Sequence, residues 1–159
     1  MTIIFNANTG ITLPSGSAVI GTTDTQTLTN KTLTSPTIAT ATITTPTITT
    51  PTITDYIESV VSIGNSGTTQ TLSLTNGTVQ TVTMTGNCTF TMPTATAGKS
   101  FTLILTQDGT GSRTAVFTSV KFPNGASPTL TTTATTGIDI ITFVANGTSW
   151  FGTAAQAFA

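Results

Sequence analysis

Between Thr27 and Thr54 the large apolar positions recur every fifth residue: Leu28, Leu33, Ile38, Ile43, Ile48 and Ile53, each preceded by Thr. Five is the period of neither a helix nor a strand. On a straight strand, side chains five apart point to opposite faces, so one face of a flat sheet would receive an aliphatic residue only at every tenth position. That is too sparse to bury. Pro36, Pro46 and Pro51 add a second obstacle, because each lacks the N–H that a central strand must donate.

The pattern predicts three identical extended chains wound about a common axis, each repeat turning far enough to bring its Leu or Ile back to that axis. At about 3.3 Å per residue, successive rings of three aliphatic side chains would lie at most about 16 Å apart. A pentapeptide-repeat β-helix is one alternative. Its coils take four repeats, so six repeats make only about one and a half coils, and solenoids need several stacked units to bury a core. Such helices also keep a small residue two before the central aliphatic, where this chain has Gln26, Lys31, Pro36, Ala41, Pro46 and Pro51. A disordered Thr/Pro linker is the other alternative. The trimer explains the spacing best, with the six aliphatics as an interchain seam.

Beyond the repeat the period falls to two. Alternation runs through "VQTVTMT", "CTFTM" (Cys88, Phe90, Met92), "FTLILT" (Phe101, Leu103, Leu105) and "IDIITFVA". Turn signals separate these runs: Asn65-Ser66-Gly67, Asn76-Gly77, Gly86-Asn87, Asp108-Gly109, Asn124-Gly125 and Asn146-Gly147. Asn-Gly and Asp-Gly supply the positive φ of tight hairpins. Roughly eight strands over about 100 residues predict a β-sandwich or jelly-roll-like head, closed by a last strand carrying Trp150 and Phe151. Upstream of the repeat, "MTIIF" and "GITLP" are short apolar tags among Asn and Gly, with Pro14 and Gly16 as breakers. The expected organisation is all-β: an anchoring arm over 1–27, an intertwined trimeric stalk over 28–56, and a sandwich head over 57–159. In the arm, Ile3, Ile4, Phe5, Ile11 and Leu13 are the docking candidates.

Composition reinforces the all-β reading. Thr supplies 46 of the 159 residues, and its β-branch disfavours helix and favours strand. Charged residues make up 6%, against about 25% in ordinary domains. A chain with so little surface charge is suited to close packing among like subunits. Lys31, Lys99, Arg113 and Lys121 are scattered, so no basic patch exists to neutralise phosphates, and nucleic acid is not an expected partner. No apolar run reaches the roughly 20 residues of a membrane span. The opening "MTIIFNANTG" does not read as a secretory signal. Cys88 alone cannot form an intrachain disulfide and reads as a small buried hydrophobe. Assembly in a reducing cytoplasm follows.

Chemistry is sparse. There is no His, which removes His-based triads and His metal ligands. Asp55 and Glu58 are close enough in sequence to suggest a carboxylate pair for glycoside cleavage, but a polar collar at the stalk–head junction is the commoner arrangement. "DGTGSR" lacks the Lys and helix of a phosphate loop and reads as a hairpin tip. Tyr56 and Trp150 are expected to seal the head rather than stack on a sugar. No catalytic, cofactor or metal site is expected.

The segment "GTTDTQTLTNKTLTSPTI", Gly21 to Ile38, resembles one that recurs in structural proteins of tailed bacteriophages, tail fibres and virion surface proteins among them. The closing portion, "FTLILTQDGTGSR", "FPNGASPTL" and "IDIITFVANGTSWFGTAAQAF", is similar to C-terminal β domains of such proteins. The resemblance implies a homotrimer on the virion surface, assembled in the host cytoplasm, with an N-terminal anchor, a slender stalk and a distal head. It supplies no catalytic residue. Two positions on the virion fit: a capsid decoration (cement) protein or short head spike contacting the major capsid protein, and a short tail fibre or receptor-binding tip contacting tail or baseplate proteins. Fibres with this motif are usually longer, which together with the apolar leader favours the capsid. A host-surface glycan is the candidate ligand for the tail reading. A polysaccharide-degrading tailspike is the enzymatic alternative, disfavoured because the chain has no acidic cluster on a long β-helix.

Overall fold

The computed structural model describes residues 5–6, 10–11, 29–30, 32–44, 46–75 and 77–158. Its contacts divide the chain into two units, Met1–Pro51 and Thr52–Ala159. Both are free of α-helix among the described residues, so the protein is all-β.

In the first unit, β1 (Phe5–Asn6) and β2 (Gly10–Ile11) form a short antiparallel ladder, with Phe5 opposite Ile11. Of the expected arm residues, Ile3, Ile4 and Leu13 lie outside the described residues, as does Leu28 of the expected seam. From residue 29 to 51 the chain is exposed, lies in no helix or strand and makes no intrachain hydrogen bond among the described residues. It bends directly after each aliphatic: at 34–35 after Leu33, 39–40 after Ile38, 44 after Ile43 and 49–50 after Ile48. At Ser35 and Thr50 the bend carries φ of 50°, with Pro36 and Pro51 following. The five-residue sequence period is therefore also a five-residue period of backbone direction, which a straight strand does not have.

Among its described residues the second unit holds nine strands. A six-stranded sheet is ordered β3 (Val60–Asn65), β5 (Val79–Met84), β7 (Ser100–Gln107), β10 (Ile138–Ala145), β11 (Trp150–Phe158), β9 (Val120–Lys121). A three-stranded sheet is ordered β4 (Thr69–Thr71), β6 (Cys88–Thr91), β8 (Ala115–Phe117). From β3 to β8, successive strands alternate between the two sheets, and within each sheet they pair in parallel. Val60 pairs with Val79, and Val79 with Thr102; Thr69 pairs with Thr89, and Cys88 with Ala115. The chain thus winds three times around one core before β10 and β11 add an antiparallel hairpin to the larger sheet.

This winding differs from the hairpins expected at the turn signals. The corners at 65–68, around Gly77, at 85–87 and at 108–114 carry the chain from one sheet to the other; Asn76 lies outside the described residues. Asn124-Gly125 falls in a 3₁₀ turn, Pro123–Gly125. The turn at Asn146-Gly147 does join neighbouring strands, and Asn146 Oδ1 accepts the N–H groups of Thr148 (3.0 Å) and Ser149 (2.9 Å) there. A positive φ turns the chain at Gly67, Gly111, Gly125 and Gly147 but not at Gly77 or Gly86, and where it occurs it does not choose the next strand's partner.

The alternating runs bury the faces their pattern predicts. Gln80, Val82 and Met84, then Cys88 and Phe90, then Phe101, Leu103 and Leu105 all point inward. Aromatic rings join the layers. Phe117 of the small sheet lies 5.4 Å from Phe143 of the large one, and Phe143 stacks on Phe101 at 4.6 Å. Trp150 meets Phe101 edge-on at 5.2 Å and donates its indole N–H to the Pro93 carbonyl at 2.7 Å. Gly152 is required because a Cβ there would sit 2.4 Å from Cε1 of the buried Phe122 ring.

Candidate functional site

The repeat residues that the structure describes share one environment. Leu33, Ile38, Ile43, Ile48 and Ile53 are 55%, 60%, 59%, 61% and 63% exposed. A chain coiled on itself would hide these side chains in its own interior, so the pentapeptide β-helix alternative does not hold. Each aliphatic presents a similar exposed apolar surface, repeated along a segment in no helix or strand, with a Thr before each.

The residues that could have carried chemistry are dispersed. Asp55 and Glu58 are both exposed, and Glu58 Oε2 accepts the Thr78 hydroxyl at 2.6 Å. Cys88 is buried, and burial pushes its thiol up, with the Ser66 side chain as the lesser, opposing influence; the thiol donates a weak hydrogen bond to the Ser66 carbonyl (3.7 Å). A raised thiol stays protonated and unreactive. Asp139 is buried within the sheet, where it accepts the Thr131 N–H (2.8 Å) and hydroxyl (2.7 Å) and holds the preceding loop.

"DGTGSR" is an inter-sheet loop rather than a hairpin tip. Asp108 Oδ1 accepts the Thr110 and Gly111 N–H groups at 3.0 Å each, and Arg113 Nη2 donates to Asp108 Oδ2 at 2.8 Å. The Arg113 hydrogen bond is the main reason that the Asp108 carboxyl lies below its ordinary range and the Arg113 guanidinium above its own. Buried Gln107 clamps the far side: its Nε2 donates to the Arg113 carbonyl (3.0 Å) and its Oε1 accepts the Arg113 N–H (2.8 Å). Every polar group of the loop named here is occupied with holding the loop.

Tyr56 and Trp150 part company. Trp150 is 1% exposed and seals the head as expected, but Tyr56 is 68% exposed and does not. The sequence around it, "DYIES", offers no alternation that would bury it, and Ile57 beside it is 94% exposed. Two shallow depressions mark the head. One of about 290 Å³ has Glu58 beside Thr78, Thr102 and Thr142; one of about 340 Å³ has Lys99 beside Ser73, Thr75 and Thr96. Each has one ionisable side chain in its lining, and in the first the Glu58 carboxylate holds the Thr78 hydroxyl. No cluster of three or more potential metal ligands exists among the described residues, and no described helix is long and apolar enough to cross a membrane.

Sequence reasoning missed the outer face of the large sheet, where Ile104, Ile138 and Ile140 are half-buried and Val144, Phe151 and Phe158 are about half exposed. A signal was present: "IDIITFVA" is apolar at both parities in its first half, the pattern of a strand covered on both sides. Comparison with protein-family models, with curated proteins and with solved structures finds no match to the chain.

Proposed function

We propose that the protein is a non-enzymatic, homotrimeric component of a tailed-bacteriophage virion surface, seated on the capsid as a decoration protein or short head spike. The observation that carries the proposal is the row of similarly exposed aliphatics at five-residue spacing on a strand-free segment that makes no intrachain backbone hydrogen bond among the described residues. Such a segment does not pay its ordering entropy alone. Thr50, β-branched and held at a φ of 50°, sits in a region that costs about 1–2 kcal/mol and persists where surroundings impose it. Two further copies wound around the same axis supply those surroundings and bury the aliphatics. The resemblance of residues 21–38 to phage structural proteins supports the virion setting, and the apolar arm, with its Phe5–Ile11 ladder, is the anchor to the shell.

Light scattering on the isolated protein tests the oligomer: the expected mass is three chains, and a folded monomer overturns the proposal. Removing residues 1–14 tests the location. The expected product is a trimer that no longer joins virions, leaving particles that adsorb to cells normally but withstand heat and low salt less well. Particles of normal sturdiness that fail to adsorb would place the protein on the tail as a short fibre, where a host glycan becomes the ligand to seek.

A further inference from the structure

The head carries a second surface that one chain leaves uncovered. On β5, β7 and β10 one set of alternate residues fills the core, so the other set faces outward. Register lines these outward residues up across the strands. One row runs Val60, Val79, Thr102, Thr142, Thr153. The next places Ile104 beside Ile140, and the one after places Ile138 beside Phe158. None of these side chains is charged. The small sheet turns out a different face, with Thr69, Thr71, Thr89 and Thr91 exposed around Val116, a hydroxyl ladder that water solvates well.

Charge returns at the two ends of one row. There Ser100 pairs with Val144, Val144 with Phe151, and Phe151 with Lys121, whose Nζ stands 5.8 Å from the Phe151 ring centroid at the β9 edge. At the opposite edge, just before β3, Glu58 borders the depression shared with Ser100 and Thr102. Both residues are exposed, and neither has an ion-pair partner among the described residues. An anion marks one lateral edge of an uncharged face and a cation marks the other.

A sheet edge with opposite charges at its two sides is complementary to a rotated copy of itself, which is the condition for a head-to-tail contact that closes into a ring. Five strands at about 4.8 Å and four rows at about 7 Å make a face of roughly 600 Å², close to the roughly 800 Å² per partner of a stable interface. We propose that three copies turn this face to a common axis, with the β3 edge of one copy beside the β9 edge of the next and Glu58 of one paired with Lys121 of the next. This rests on the homotrimer proposed above and assigns the head surface that completes it.

A zero-length carbodiimide cross-link on the native full-length protein tests the assignment, because it condenses a carboxylate and an amine only when they touch. Within one chain Glu58 and Lys121 stand about five strand spacings, or roughly 24 Å, apart, so a 58–121 link must join two copies. Expected are linked dimers and trimers whose peptides join residues 58 and 121, lost in Lys121→Gln and retained in the exchange Glu58→Lys with Lys121→Glu. Mixed isotope-labelled and unlabelled chains confirm that the link is intermolecular. A monomer by light scattering overturns the homotrimer and this assignment with it. A trimer with no 58–121 link, in which Thr142→Cys reacts freely with a bulky maleimide, leaves the homotrimer standing and overturns the assignment. That outcome would leave the face open for a different protein.

Discussion

If the repeat is the interchain seam proposed above, substituting Ile48 by Ala removes one of its rings and nothing else that a single chain needs. Ile48 is 61% exposed, so in the proposed trimer about three-fifths of its surface would be left for neighbouring copies to bury. Truncating a buried Ile to Ala costs about 2–5 kcal/mol, which scales at this exposure to roughly 1–3 kcal/mol per chain. A ring holds three such side chains, giving about 4–9 kcal/mol per trimer. At about 1.4 kcal/mol per tenfold, the trimer dissociation constant rises by roughly three to six orders of magnitude. Mass by light scattering over a dilution series reads this directly, since the stability of an obligate oligomer depends on protomer concentration. The control is Thr47→Ala, one position away and also exposed, expected to stay within about 0.5 kcal/mol. Equal losses in Ile48→Ala and Thr47→Ala would refute the reasoning, because the aliphatic residues would then not be the ones facing the axis. So would a trimer whose dissociation is unchanged in Ile48→Ala.

Gly152→Ala forces a methyl group against the Phe122 ring and should lower head stability by about 1–3 kcal/mol in thermal or denaturant unfolding. The same change in a Phe122→Leu background, which removes the two closest ring atoms, should cost much less; an equal cost in both backgrounds would refute the contact. The Asp108 carboxyl lies below its ordinary range in the folded chain, chiefly through Arg113. Its stabilisation of the 108–114 loop is therefore present above the ordinary carboxyl value near pH 4 and is lost as pH falls through the lower folded value. Amide exchange in that loop should rise on acidification, whereas Asp108→Asn should exchange faster already at neutral pH without that acid dependence. Buried Cys88, its thiol raised by burial, should resist a maleimide reagent in the folded protein and react only after unfolding.

The alternation of Cys88 with Phe90, and of Phe101, Leu103 and Leu105, was enough to predict which side chains form the head core, because a strand with one buried face must alternate whatever it pairs with. The same independence hid the topology. Parallel windings and antiparallel hairpins bury alternate residues equally, and the positive-φ corner at Gly67 suits either, so only the fold decided that β3 to β8 change sheets at each step. Likewise the five-residue spacing of Leu33 to Ile53 declared that no ordinary sheet could hold them, while the bend after each aliphatic became visible only in the backbone. Glu58 and Lys121, 63 positions apart in the chain, read as unrelated charges. Strand register puts them at the two edges of one face, and no local pattern encodes that, because the pairing of distant strands is chosen by the packing of the whole core.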